Sequence, residues 1–201
     1  VGKAGFITAC YIILVPIIII VSLIAALLAN RPTRLKKFAR VSFYMPNVLS
    51  VSVISTIANF MFAPYMGLIN DLLQALHIIP ANYEPQWFIN ENLAWVTVII
   101  TTVWWTLGSV MMLYLAGLQD IPEELHEAAA IDGANSAARL FRITLPLLRP
   151  TTALVFFLQV IGSFKVFGQI YQITGGGPGT KTRPIVMYIY QTGFVRNDLG
   201  Y

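Results

Sequence analysis

Lys165 is a lone cation set well inside an apolar stretch, just after the almost wholly apolar run 151–164. An ionisable side chain in such a place is a functional candidate, because a charge there is costly unless water or a counter-charge meets it. Two readings are open. Lys165 lines a path and meets an acidic group on a ligand, or it lies near an interface or a water-filled vestibule and its ammonium snorkels to water; the second is adopted. Residues 175–182 read GGGPGTKT. A phosphate-cradling loop needs Gly-Lys-Ser/Thr contiguous, and Thr180 separates Gly179 from Lys181, so a tight turn is expected rather than a nucleotide site. His77 and His126 are isolated, and neither a paired-His metal spacing nor a nucleophile elbow is present. Metal-assisted and nucleophilic catalysis are therefore not expected, and the chain is not read as an enzyme. Cys10 is the single cysteine, so an internal disulfide is impossible.

The elements that must position these residues follow from composition. Of 201 residues 57% are hydrophobic and 11% charged, and the mean hydropathy is +0.70. A soluble domain carries about 25% charged residues, so the bilayer is the expected solvent and an all-α polytopic membrane protein the expected fold class. The net charge of +4 is modest, and its basic residues flank apolar runs, which suits a membrane surface and not a nucleic-acid partner. Lys3 to Arg31 encloses 27 residues without a charge, Arg40 to Asp71 encloses 30, and Glu91 to Asp120 encloses 28. Each exceeds the ~20 residues that cross a membrane as a helix. Spans are expected near 6–29, 43–63 and 93–118, and a fourth near 146–172. The stretch 184–195 is short and amphipathic, as an interfacial or re-entrant helix would be. Ser22, Ala25, Ala26 and Ala29 offer close helix packing. With Val1 opening almost directly onto an apolar run and no closing feature at Gly200-Tyr201, the chain is expected to be an internal piece of a larger protein.

Orientation is read from the connecting segments. Arg31, Arg34, Lys36, Lys37 and Arg40 follow the first run without an acid, whereas 64–92 holds Asp71, Glu84 and Glu91 and no Lys or Arg. The positive-inside rule places 31–42 in the cytoplasm and 64–92 outside, with Trp87 and Trp95 as interfacial anchors. The polar segment 119–145 is then cytoplasmic. There Asp120 is expected to cap a helix whose first turn holds Pro122, Glu123 and Glu124 and which runs to about Ile131. Gly133 can end it with a positive φ. A second short helix is expected over 134–141, and Pro146 then opens the fourth span. The row Ala128, Ala129 and Ala130 gives a slim rigid face that fits a partner's groove; alternatively the segment rests on the membrane surface.

Within it, Glu127-Ala128-Ala129, three residues, Gly133, nine residues, Ile143, one residue, and Leu145-Pro146 form a pattern of seven specified positions over twenty residues. The pattern resembles the signature of the inner-membrane permeases of binding-protein-dependent ABC importers, with no spacing error. Further stretches resemble the sugar branch of that family, of the maltose and glycerol-phosphate type: 43–46, Gly67-Leu68-Ile69-Asn70, 115–119, Ile131-Asp132-Gly133-Ala134, 144–150 and 174–179. The likeness covers nearly the full chain. It implies a type I ABC importer transmembrane bundle truncated at both ends, with about four spans plus the short interfacial or re-entrant helix, in the cytoplasmic (inner) membrane of a prokaryote.

The resemblance also implies roles and partners. Glu127, Ala128, Ala129, Asp132, Gly133, Ile143, Leu145 and Pro146 would form the coupling segment that docks on an ATP-hydrolysing subunit. Two such subunits would bind ATP and Mg, the chain itself binding no cofactor; a second permease subunit, as a heterodimer, and an extracytoplasmic solute-binding protein complete the set. The substrate path is expected at Gln159, Ser163, Phe164, Lys165, Phe167, Gln169 and Tyr171, with Gln172 beside them. Aromatic faces, amides and hydroxyls suit a polyhydroxylated ligand, although the same groups can simply pack between helices. The implied function is passage of a sugar, oligosaccharide or related polyol. The alternatives are a permease for another solute class and an ion-coupled secondary transporter, against which the first three spans lack any Asp or Glu.

Overall fold

Long uncharged runs can satisfy their backbone only by coiling, since lipid offers no partner for N–H or C=O. The computed structural model describes residues 2–30, 36–80, 83–198 and 200, and every regular element among them is helical. Helices α1 (Gly2–Ile12) and α2 (Leu14–Asn30) are separated only by Ile13, and Gly2–Asn30 is long and apolar enough to cross a membrane. So is α6 (Glu91–Gln119), unbroken over 29 residues.

The other runs are interrupted. Where a span was expected near 43–63, α3 (Lys36–Val48) ends and α4 (Val51–Met61) begins anew. Pro46 lies within α3, Ser50 caps α4 by accepting from the Val53 amide, and the indole of Trp105 donates to the freed Leu49 carbonyl at 3.2 Å. Proline removes a helical bond, so these side chains replace what the break costs. Lys36, Lys37 and Arg40 belong to α3 and not to a loop; Arg31 and Arg34 lie outside the described residues. The expected outer segment contains an unforeseen helix, α5 (Leu68–Ala75).

Past α6 come α7 (Glu123–Ile131) and α8 (Ser136–Arg139), then a π-helical turn over Leu140–Thr144 and α9 (Leu145–Leu147). Pro146 therefore does not open a helix; it sits in one begun at Ser136. The bend comes at Leu148, where 136–147 and α10 (Arg149–Phe164) meet at 60°. Pro146 and Pro150 bracket it, each lacking a donor. Helix α11 (Gly168–Ile173) is separate from α10, so the run 146–172 is two pieces joined at 165–167. The stretch 184–195 is α12 (Ile185–Tyr190) followed by a π-helical turn, Gln191–Val195.

The chain forms two compact units. In the unit made of 1–14, 48–105 and 161–201, Thr8 accepts the Ile185 amide at 2.9 Å, Tyr11 packs its ring on Trp95, and α11 lies against α4 through Gln172–Ser52 and Asn59–Gln172 hydrogen bonds. Trp87 is 6% exposed and donates to Asn70 at 2.6 Å, while Asn70 donates to Glu84. This corrects its reading as an interfacial anchor: the indole found a buried polar partner, and Phe62 packs edge-on against it. In the unit made of 15–47 and 106–160, Ser22, Ala25, Ala26 and Ala29 are all buried. A Cβ on Gly108 would stand 2.7 Å from the backbone of Phe43 and Tyr44, so only glycine permits α6 to approach α3 so closely.

Candidate functional site

The polar elbow 119–145 is built from three local devices. The first corrects the expected cap. Helix α6 runs through Gln119, so Asp120 follows a helix end; Pro122 occupies the cap of α7, without a side-chain cap bond. Glu123 and Glu124 fill the first turn, where the helix dipole favours acids.

The second device is the end of α7. Gly133 has φ +80°, its amide donates to the Ala130 carbonyl at 3.1 Å, and the Ala134 amide donates to the Ala129 carbonyl at 2.8 Å. This pair of bonds is a Schellman motif, which needs a left-handed residue at that position. A Cβ on Gly133 would meet nothing within 4 Å. The backbone, not crowding, requires glycine.

The third device escaped sequence reading: Asn135 caps α8, its carbonyl oxygen accepting the Ala138 amide at 2.8 Å. Asn before Ser-Ala-Ala was the available signal.

These devices hold α7 clear of the bundle. No residue of α7 is buried. Ile131 is 87% exposed and Phe141 66%, both on an otherwise polar elbow. Ala129, Asp132, Gly133 and Ile143 line one recess of about 460 Å³, together with Ala138 and Arg142. Asp132 and Arg142 put opposite charges around it, and neither is in an ion pair among the described residues. Glu127 and Ala128 lie exposed outside the recess. Leu145 faces elsewhere, lining a recess of about 500 Å³ with Ile19, Leu23, Tyr114 and Arg149; Pro146 is half-buried.

The second candidate cluster is only partly gathered. Phe167 stacks on Tyr171 with centroids 5.4 Å apart, and Tyr190 packs against both and against Phe194. Tyr190 and Phe194 were not anticipated, because α12 is remote in sequence. Gln172 is tied to α4. Gln159 is half-buried on α10 and belongs to the unit of 106–160, while Ser163, Phe164, Lys165, Phe167, Gln169 and Tyr171 belong to the other. Lys165 is exposed and makes no ion pair among the described residues.

The glycine-rich turn is closed on itself. Buried Thr182 donates to the Gly177 carbonyl at 2.8 Å and shares a hydrogen bond with Thr174. The amides of Gly175, Gly176, Gly177, Lys181 and Thr182 are consumed internally, and Lys181 pairs with Glu91 at 3.1 Å. A phosphate cradle needs free amides aimed at the ligand, so this loop is a structural turn. No group of three or more His, Cys, Asp or Glu able to hold a metal occurs among the described residues.

An exposed elbow carrying this spacing matches one known family across almost the whole chain: residues 5–195 fit the family described as the binding-protein-dependent transport system inner membrane component. The chain belongs to that family. The family is one of transport components rather than enzymes. The sulfoquinovosyl glycerol transport system permease of Agrobacterium fabrum is 38% identical over 191 residues, 94% of this chain and 60% of that protein. A probable permease for starch degradation products from Thermoanaerobacterium thermosulfurigenes is 34% identical over 197 residues, 98% and 64%. The sn-glycerol-3-phosphate permease of Agrobacterium fabrum is 37% identical over 183 residues, 89% and 60%. The chain spans about three fifths of the length of these relatives. Its fold is that of a solved bacterial ABC transporter involved in import of the acidic polysaccharide alginate, with a TM-score of 0.85 at 22% identity, covering 97% of this chain and 68% of that one. The type I permease fold is thus established for this family member.

Proposed function

We propose that the chain is the transmembrane part of an ATP-driven importer that passes a sugar, oligosaccharide or related polyol across the cytoplasmic membrane of a prokaryote. The observation that carries the reading is α7: a rigid, alanine-faced helix, fixed at its end by a Schellman turn and burying none of its own residues. A short helix rarely persists on propensity alone. One held out from the bundle is suited to a groove on another protein.

In this reading two ATP-binding subunits carry ATP and Mg and receive α7 on the cytoplasmic side. Glu127 and Ala128 meet the partner, and Ala129, Asp132, Gly133 and Ile143 form the recess that takes a partner side chain. Leu145 and Pro146 pass the movement onward to the helices that follow. A second permease subunit, as a heterodimer, completes the path, and a solute-binding protein docks from outside. The solute meets the aromatic cluster of Phe167, Tyr171 and Tyr190 near Lys165, with Gln159, Ser163, Phe164 and Gln169 along the path. Ring stacking beside amides and hydroxyls favours a polyhydroxylated solute, and relatives whose names specify sugars or polyols support that class. The ATP-driven switch requires α7 to be held differently in the two states of the motor.

The test is proximity. With Cys10 replaced by Ser and Ala129→Cys introduced, a short bifunctional crosslinker in the assembled transporter should capture an ATP-hydrolysing subunit. An intact, transport-competent assembly that never yields that product would refute the coupling role.

A further inference from the structure

A second recess lies in the unit of 1–14, 48–105 and 161–201, and none of its lining residues belongs to the elbow or to the aromatic cluster. Its volume is about 490 Å³, and its lining includes Lys3, Phe6, Ile7, Cys10, Trp95 and Lys181. Lys3 and Lys181 are the cations of the lining. Phe6, Ile7 and Cys10 follow Lys3 on the same face of α1, at steps of three or four residues. Ile13, a further three residues along, is 68% exposed and extends the track, and Phe6 is 71% exposed. Ala4, Ile7, Thr8 and Tyr11 are buried, so Ile7 stands where the recess meets the packed side of α1. An indole, Trp95, walls the recess and is itself braced by Tyr11.

Charge and length select the occupant. Lys181 is paired with Glu91 at 3.1 Å, whereas Lys3 makes no ion pair among the described residues, which leaves one uncompensated cation beside an apolar track. From Lys3 to Ile13 the helix rises about 15 Å at 1.5 Å per residue. That is about half the ~30 Å hydrocarbon thickness of a bilayer, the depth of one leaflet. One uncompensated ammonium, a second shared with Glu91, an indole wall and a leaflet-deep apolar track form a receptor for an amphiphile with an anionic head. Basic pockets at helix ends take anionic lipid headgroups in this manner.

We propose that this recess binds an anionic phospholipid, its phosphate between Lys3 and Lys181 and one acyl chain along Phe6, Cys10 and Ile13. Lys181 projects from the glycine-rich turn, so a bound headgroup would brace that turn against α1 as well as α6. The site shares no residue with the proposed solute path or with the coupling elbow.

The experiment uses the full-length permease in its assembled transporter, delipidated in detergent and titrated with phosphatidylglycerol or phosphatidylcholine under native mass spectrometry. One phosphatidylglycerol per copy of this chain should be retained at least five-fold more tightly than phosphatidylcholine. The Lys3→Ala/Lys181→Ala double variant should lose that preference, and Lys165→Ala, an exposed cation elsewhere, should keep it. Lys181→Arg, which preserves charge and the Glu91 pair, should also keep it. Equal retention of the two lipids, an unchanged preference in the double variant, or an equal loss in Lys165→Ala would overturn the assignment. A glycerol phosphate competitor without acyl chains should displace the lipid only weakly. Displacement at equal concentration would show the site to be one for free phosphate esters and overturn it too.

Discussion

Single residues set the shape of the elbow, and Gly133 does so through backbone alone. Its φ of +80° lies in the left-handed region, and the space where a Cβ would stand is empty. For an ordinary L-residue that conformation costs roughly 1–2 kcal/mol, while Asn tolerates it better and β-branched residues worse. Coupled uptake at matched membrane levels should therefore fall in the order Gly133, Asn, Ala, Val, with Gly133→Val lowest by about five- to thirty-fold if the turn must be formed to act. The order is the diagnostic: a steric role would rank variants by size and leave Ala above Asn. Uptake by Gly133→Val equal to the parent would show that the turn is not needed. Gly108 works by the other route, since its Cβ would collide with the α3 backbone. The two glycines have unrelated reasons, which neither position reveals from sequence alone.

At the scale of elements, the pair Asn70–Trp87 fixes α5. Asn70 is 1% exposed and accepts the indole N–H at 2.6 Å. Trp87→Phe keeps a ring against Phe62 but strands a buried carbonyl oxygen, at a cost of about 1–3 kcal/mol. Hydrogen exchange of the α5 amides should accelerate by roughly five- to hundred-fold, with little change in α7. Protection of α5 equal to the parent would show the bond to be incidental. This pair also shows where sequence reading stops. Length and charge made the helices of the uncharged runs legible, because a run without charges has few ways to satisfy its backbone in lipid. The Glu127–Pro146 spacing made the elbow legible, since its signals are local. The helix breaks were not, because the groups that make a break tolerable come from afar: Trp105 serves Leu49 across 56 residues, and Gln172 meets Ser52 across 120. Trp87 was read as an anchor for the same reason, its partner lying 17 residues away. Asp120 failed as a cap because α6 continued up to it.

For the whole molecule the question is whether α7 acts on the chain that carries it or on a partner. Its side chains contribute nothing to either core, so substitutions there should alter the stability of the chain by no more than about 0.5 kcal/mol. Transport, on the proposed reading, depends on α7 seating in a groove whose grip differs between two states of the motor. Ala128→Trp separates the possibilities. The exposed site accepts an indole without disturbing the fold, yet a groove shaped for alanine does not accept one. The variant should reach the membrane at the parental level, with an unchanged melting temperature. The basal ATP hydrolysis of the assembly should persist, while solute-stimulated uptake drops at least ten-fold, a loss of about 1.4 kcal/mol or more in the coupling interaction. Ile78→Trp, equally bulky and also at an exposed position, outside the elbow, should transport normally. Parental uptake by Ala128→Trp would refute partner contact at α7. A melting temperature lowered in step with uptake would assign the helix to the fold of its own chain and leave the motor to act elsewhere.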